Sequence, residues 1–150
     1  MGKHANSFRD LEVYQLARQL SLEIFRLSKR FPKEENYALI DQIRRSSRSV
    51  GAQIAEAWAK RRYQKHFISK LTDADGEQQE TQHWIETAMD CHYIDTQQGN
   101  QWLKQYASIG KMLNAMLIKS EAFCYVNAAN RSPITDHRSS ITISFPLTTS

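Results

Sequence analysis

The sequence predicts an all-α protein, an antiparallel up-down four-helix bundle followed by a flexible C-terminal tail. Three observations carry this expectation. Apolar residues recur at three- and four-residue steps through four successive segments, the spacing that gathers them on one face of a helix at roughly 100° per residue. Short connections join the segments, so each helix returns alongside its predecessor. After Tyr125 the period stops in "VNAANRSPITDHRSSITISFPLTTS", which is rich in Ser, Thr and Asn with two prolines, a composition that does not build a core.

With 150 residues, the chain is about one domain long. The expected division is a flexible start over residues 1–6, the bundle over 7–124 and the tail over 125–150. The first helix opens at Ser7 and Asp10, a capping signature, and runs through Val13, Ala17, Leu20, Ile24 and Leu27 to Phe31, where Pro32 ends it. Leu11, Tyr14, Leu22 and Phe25 give it a second apolar flank, more than one groove of a bundle needs, which hints at burial against another subunit.

The second helix spans about Glu35 to Arg62 with Leu39, Ile43, Val50, Ile54 and Ala57 inward. Beside that face runs a row of small residues, Gly51, Ala52, Ala55 and Ala59, which allows another helix to approach closely. Arg44, Arg48 and Arg62 share that flank, while Arg45 and Lys60 point further round towards solvent. The third helix, about Gln64 to His92, carries Phe67, Leu71, Ala74 and Ile85. Gln78, Thr81 and Gln82 interrupt its stripe and read as a hydrogen-bonded polar layer that sets register. The fourth, about Thr96 to Phe123, repeats the pattern with Trp102, Tyr106, Ile109, Leu113 and Met116.

Composition narrows the class. The chain is 41% hydrophobic and 24% charged with a mean hydropathy of -0.60, a soluble globular profile. No apolar run approaches the roughly 20 residues of a membrane span, and "MGKHANSFRD" lacks the apolar core of a signal peptide. A cytoplasmic protein without membrane contact is expected. Cys91 and Cys124 are too few for a disulfide framework and read as reduced packing residues.

The net charge of +4 says less than its distribution. From Gln42 to Lys70 eight fixed cations face one carboxylate, Glu56, for a net +7; from Leu71 to Thr96 seven carboxylates stand without Lys or Arg, for a net -7. Lys60, Arg61, Arg62 and Lys65 cluster at the junction of the second and third helices with Tyr63 among them. Cations hold phosphates and exposed aromatics stack bases, so these five are the candidate nucleic-acid contacts; the plain alternative is a solvated helix end. Arg44 and Arg48 are instead expected in ion pairs with Glu77, Glu80 or another acid of the third helix, within or between subunits, ahead of a phosphate role, because the planar guanidinium fork suits interface pairing.

Enzymatic chemistry finds little support. Glu80 and His83 form Glu-x-x-His, which ligates metal in di-iron bundles only with a second such pair and two further glutamates. The fourth helix contains no histidine. No Gly-rich loop precedes a helix, and Ser46, Ser47 and Ser49 have no His/Asp arrangement around them in sequence. No catalytic residue, metal site or cofactor is expected.

The blocks "SFRDLEVYQLA", "FPKEENYALIDQIRRSSRSVGAQIAEAWAKR", "ADGEQQETQHWIETAMDCHYI" and "IGKMLNAMLIKSEAF" resemble, in that order, the small bundle proteins named after the intervening sequences of 23S rRNA genes. The chain departs from their pattern at Gln53 and Ala57, where many members have Asn and Gly, and at His92, where Gly is usual. The resemblance implies a homopentamer of left-handed four-helix bundles with no known enzymatic activity. A relative by fold, the accessory protein of diversity-generating retroelements, is a basic pentamer that binds nucleic acid and its reverse transcriptase. The leading expectation is therefore a non-catalytic homo-oligomer that binds RNA or DNA non-specifically, as an accessory to a nucleic-acid enzyme. The competing one is an oligomeric scaffold for a protein partner, with its arginines used in subunit contacts.

Overall fold

Four long helices follow one another: α1 (Glu12–Ser28), α2 (Leu39–Ala59), α3 (Gln64–Asp90) and α4 (Thr96–Ile118), with a one-turn α5 (Ser120–Phe123) behind them. The structure, a computed structural model, describes residues 4–125; the expected tail beyond Tyr125 lies outside these residues. Each helix packs on the next and α4 closes back onto α1, the square of an antiparallel up-down bundle. The expected fold class is the observed one. No helix among the described residues is long and apolar enough to cross a membrane.

The core is the set of apolar stripes read from the sequence, with Leu20, Ile24, Ile43, Ile54, Phe67, Leu71, Ile85, Ile109 and Leu113 fully buried around Trp102 and Tyr106. Its large polar-tipped residues differ in how they are satisfied. The Trp102 indole donates to Glu23 Oε1 at 3.0 Å. The Tyr106 hydroxyl has no protein partner among the described residues, and burial, helped by the Glu23 charge, pushes its pKa up.

Helix ends depart from the simple reading, each for a local reason. The Ser7–Asp10 capping box forms, but on a 3-10 turn (Phe8–Asp10). Leu11 is extended (φ -74°, ψ 126°) and buried, and Phe8 meets Tyr14 edge-on at 4.8 Å. α1 stops at Ser28, short of Phe31, which is buried against Tyr93 with ring centres 5.3 Å apart. α2 starts at Leu39 because Lys33–Glu35 forms a separate 3-10 turn. There the Glu35 carboxylate accepts from the Leu39 N–H at 3.3 Å and the Tyr93 hydroxyl at 2.7 Å. The fourth helix breaks at Lys119, which lets buried Ser120 accept from Gln64 Nε2 at 2.8 Å and Phe123 stack on Phe67 at 5.8 Å.

The polar layer forms as a set of contacts across α2, α3 and α4. Thr81 Oγ1 lies 2.9 Å from Ser46 Oγ and 2.8 Å from the Glu77 carbonyl. Gln82 donates to Gln78 Oε1 at 2.7 Å, and Gln78 donates to Asp75 at 2.9 Å. A Cβ at Gly110 would stand 2.9 Å from Gln78 Nε2, so glycine in α4 makes room for the buried amide.

Candidate nucleic-acid interface

The α2–α3 turn is built by what α2 lacks. Its last helical residue is Ala59, and Lys60 to Tyr63 turn the chain so that α3 begins at Gln64. No side chain caps the start of α3. The first N–H groups of that 27-residue helix therefore face the turn, and the helix end carries partial positive charge. Lys60, Arg62, Lys65 and His66 surround it and are exposed. Tyr63 is 58% exposed, with its ring centre 5.3 Å from that of His66. Lys60, Arg62 and Lys65 make no ion pair among the described residues. Phe67, one turn on, is fully buried and belongs to the core.

Arg61, expected among these contacts, faces the protein instead. Its guanidinium lies 3.5 Å from the centre of the Trp58 ring and 4.5 Å from that of Tyr125. Nε donates to the Trp58 carbonyl at 2.8 Å and Nη2 to the Tyr125 hydroxyl, while the Tyr125 N–H returns a bond to the Arg61 carbonyl at 3.1 Å. The reason is the end of α2: the Trp58 carbonyl, which accepts a long 3.4 Å bond from the Arg61 N–H where the helix would have continued, and the Trp58 ring take the nearest cation. Burial pushes the nearby Cys124 thiol up to about 11, against the opposing influence of Arg61.

Within the chain, the ion pairs expected of Arg44 and Arg48 fall to Arg45. Its guanidinium reaches Glu77 at 3.3 Å and also Glu80. The Trp84 indole, donating to Glu80 at 3.0 Å, is the first cause of a Glu80 pKa below the usual carboxylate range, and Arg45 adds to it. Glu80 in turn raises the Arg45 pKa. One residue along a helix is a rotation of about 100°. That step puts Arg45 on the α3 side of α2, while Arg44 and Arg48 stand over Phe25 of α1. Of the small-residue row that they border, Gly51 faces α1, where a Cβ would stand 3.5 Å from the Tyr14 ring.

The register of the α2–α3 hairpin decides which cations are neutralised. Arg45 meets Glu77 and Glu80, and Glu56 meets Lys70 at 3.3 Å, so Glu77 and Glu80 lie beside the first half of α2. From Lys65 to Asp73, the first carboxylate of α3, is about 12 Å along the helix, beyond the Debye length of about 8 Å at physiological salt, and Glu56, one turn before Lys60, is engaged by Lys70. The turn thus keeps its positive potential. Along the α3–α4 face, shallow depressions lined in part by His83, Glu86, Asp90 and Asn100 are of a different character. Among the described residues no three His, Cys, Asp or Glu groups converge as a metal site.

Comparison with known proteins agrees with this architecture. The family model described as "23S rRNA-intervening sequence protein" matches residues 9–115. The chain is also similar to a solved structure from Bacteroides thetaiotaomicron, a protein of unknown function from the S23 ribosomal protein family. That similarity has a TM-score of 0.63 at 30% identity and covers 69% of this chain and 93% of the other. No curated protein matches the chain. With the family pattern matched from α1 through most of α4, the chain belongs to the 23S rRNA-intervening sequence protein family.

Proposed function

We propose that this protein is a non-catalytic, homo-oligomeric bundle of the cytoplasm that binds RNA or DNA without sequence preference at the α2–α3 turn, as an accessory to a nucleic-acid enzyme. The supporting observation is the exposure of Lys60, Arg62 and Lys65 around the uncapped start of α3, with Glu77 and Glu80 of α3 committed to Arg45. Neutralising backbone phosphates with such cations releases counterions, which drives binding whatever the base sequence. Tyr63 supplies a ring on which a base can stack, an interaction of about 1–3 kcal/mol.

The oligomeric part of the reading, a pentamer by family resemblance, draws on apolar surface that one chain leaves open. Leu22 is 46% and Ile118 42% exposed, and Ala52 and Ala59 lie exposed on α2, where a second helix has room to approach. Assembly repeats the basic turn in each subunit, so weak phosphate contacts reinforce one another.

The test is fluorescence anisotropy of labelled RNA and DNA oligonucleotides at low salt. Replacing Lys60, Arg62 and Lys65 together by Gln weakens binding at least about ten-fold, as the loss of several charge-assisted contacts requires. Arg45→Gln, which breaks ion pairs outside the turn, leaves binding unchanged. Absence of binding by the assembled wild type would overturn the reading in favour of a protein-binding scaffold, for which Arg44 and Arg48, without ion pairs to carboxylates of their own chain among the described residues, are available.

A further inference from the structure

A second cationic surface lies on the opposite flank of α2, against α1. Lys29 Nζ, Arg44 Cζ and Arg48 Cζ stand 4.6, 4.7 and 5.3 Å from the centre of the Phe25 ring. None of the three is paired with a carboxylate among the described residues. Two weaker devices hold these like charges together. One is the negative face of the ring; the other is the partial negative charge at the end of α1, which closes at Ser28. Arg44 uses Nε on Ser28 Oγ at 2.8 Å and Nη2 on the Phe25 carbonyl at 3.4 Å. Burial and the neighbouring Arg48 charge lower its pKa, so its charged form gains from any anion placed there. Arg48 and Lys29 are exposed, and their charged ends make no hydrogen bond among the described residues.

We propose that Lys29, Arg44 and Arg48 around Phe25 form an oxyanion site that takes a phosphate group. A carboxylate would neutralise one charge of three. A free phosphate or phosphomonoester carries up to two charges and three terminal oxygens, and a nucleic-acid backbone brings one charge with each of its successive phosphates, so either neutralises more of the site than a carboxylate and suits the guanidinium fork. The site is separate from the α2–α3 turn, since Arg48 and Lys60 are about 18 Å apart along the helix axis. Its phosphate has two sources, a free phosphate compound or a nucleic-acid backbone long enough to span both surfaces.

The experiment uses the full chain, with amide-resolved NMR titration by pyrophosphate and anisotropy of a labelled oligothymidylate. The wild type is compared with Lys29→Gln/Arg48→Gln and with Lys60→Gln/Arg62→Gln/Lys65→Gln. Pyrophosphate is expected to shift the amides around Phe25, with an affinity about ten-fold weaker in Lys29→Gln/Arg48→Gln and unchanged in the turn variant. If only the oligothymidylate loses about ten-fold in Lys29→Gln/Arg48→Gln, the site stands and its phosphate is that of nucleic acid. Unchanged affinity for both ligands in that variant would overturn the site. A loss confined to the turn variant would do the same while leaving the turn reading intact, so the two readings fail separately.

Discussion

His92 is the one described residue other than glycine with a positive φ, 61°. It sits just beyond α3, where the Tyr93 N–H reaches back to the Ala88 carbonyl at 2.9 Å and the His92 N–H to Met89 at 3.0 Å. This is the Schellman closure, which asks for a left-handed residue and so favours glycine. His92→Gly is expected to stabilise the protein by about 1 kcal/mol, read as a higher urea midpoint at unchanged slope. Glycine is the usual residue here in the sequence pattern that the chain resembles, so the strain was legible as a departure, although its geometry was not. Next to it, the bond to Glu35, with burial behind it, raises Tyr93 to about 12. A phenol whose pKa is raised on folding stabilises the native state below its unfolded value of about 10 and loses that stabilisation as pH climbs through the folded value. The wild type should therefore lose more stability between about pH 10 and 12 than Tyr93→Phe, by denaturant titration at each pH.

At the level of elements, the Ser46–Thr81 contact joins α2 to α3 in the middle of the bundle, with both residues fully buried. Thr81→Ala leaves the Ser46 hydroxyl buried without that partner and is expected to cost about 1–3 kcal/mol. The double variant with Ser46→Ala should cost less than the two single changes summed, because both ends of the polar contact are then gone; a double-variant cost equal to the sum of the Thr81→Ala and Ser46→Ala costs in urea unfolding would show that the pair does not couple. The four helices and this layer follow from apolar period and its interruption. The helix ends at residues 11, 28, 39 and 119 do not, because they are set by distant partners such as Tyr93 for Glu35 and Gln64 for Ser120. The same limit governs the arginines of α2. Their positions around the helix were readable, yet which flank meets α1 and which meets α3 is a property of the packed hairpin, and within the chain it gave Arg45 the carboxylates and set Arg44 and Arg48 over Phe25.

Over the whole molecule, a net +7 segment and a net -7 segment fold back on one another out of step. The hairpin brings carboxylates to Arg45 and Lys70 and leaves the turn at its far end basic. The charge asymmetry was plain in the sequence; the exemption of Lys60, Arg62 and Lys65, and the occupation of Arg61 by Trp58 and Tyr125, depended on register and on the chain's return through α5. The most direct test of the proposed function is the salt dependence of duplex DNA binding by the assembled wild type and by Lys60→Gln/Arg62→Gln/Lys65→Gln. Each phosphate neutralised adds about 0.9 to the magnitude of the slope of log affinity against log salt, so the variant's slope should be shallower by about 2–3. Equal slopes for the two proteins, or no binding by the wild type at low salt, would contradict the assignment of phosphate contact to the α2–α3 turn.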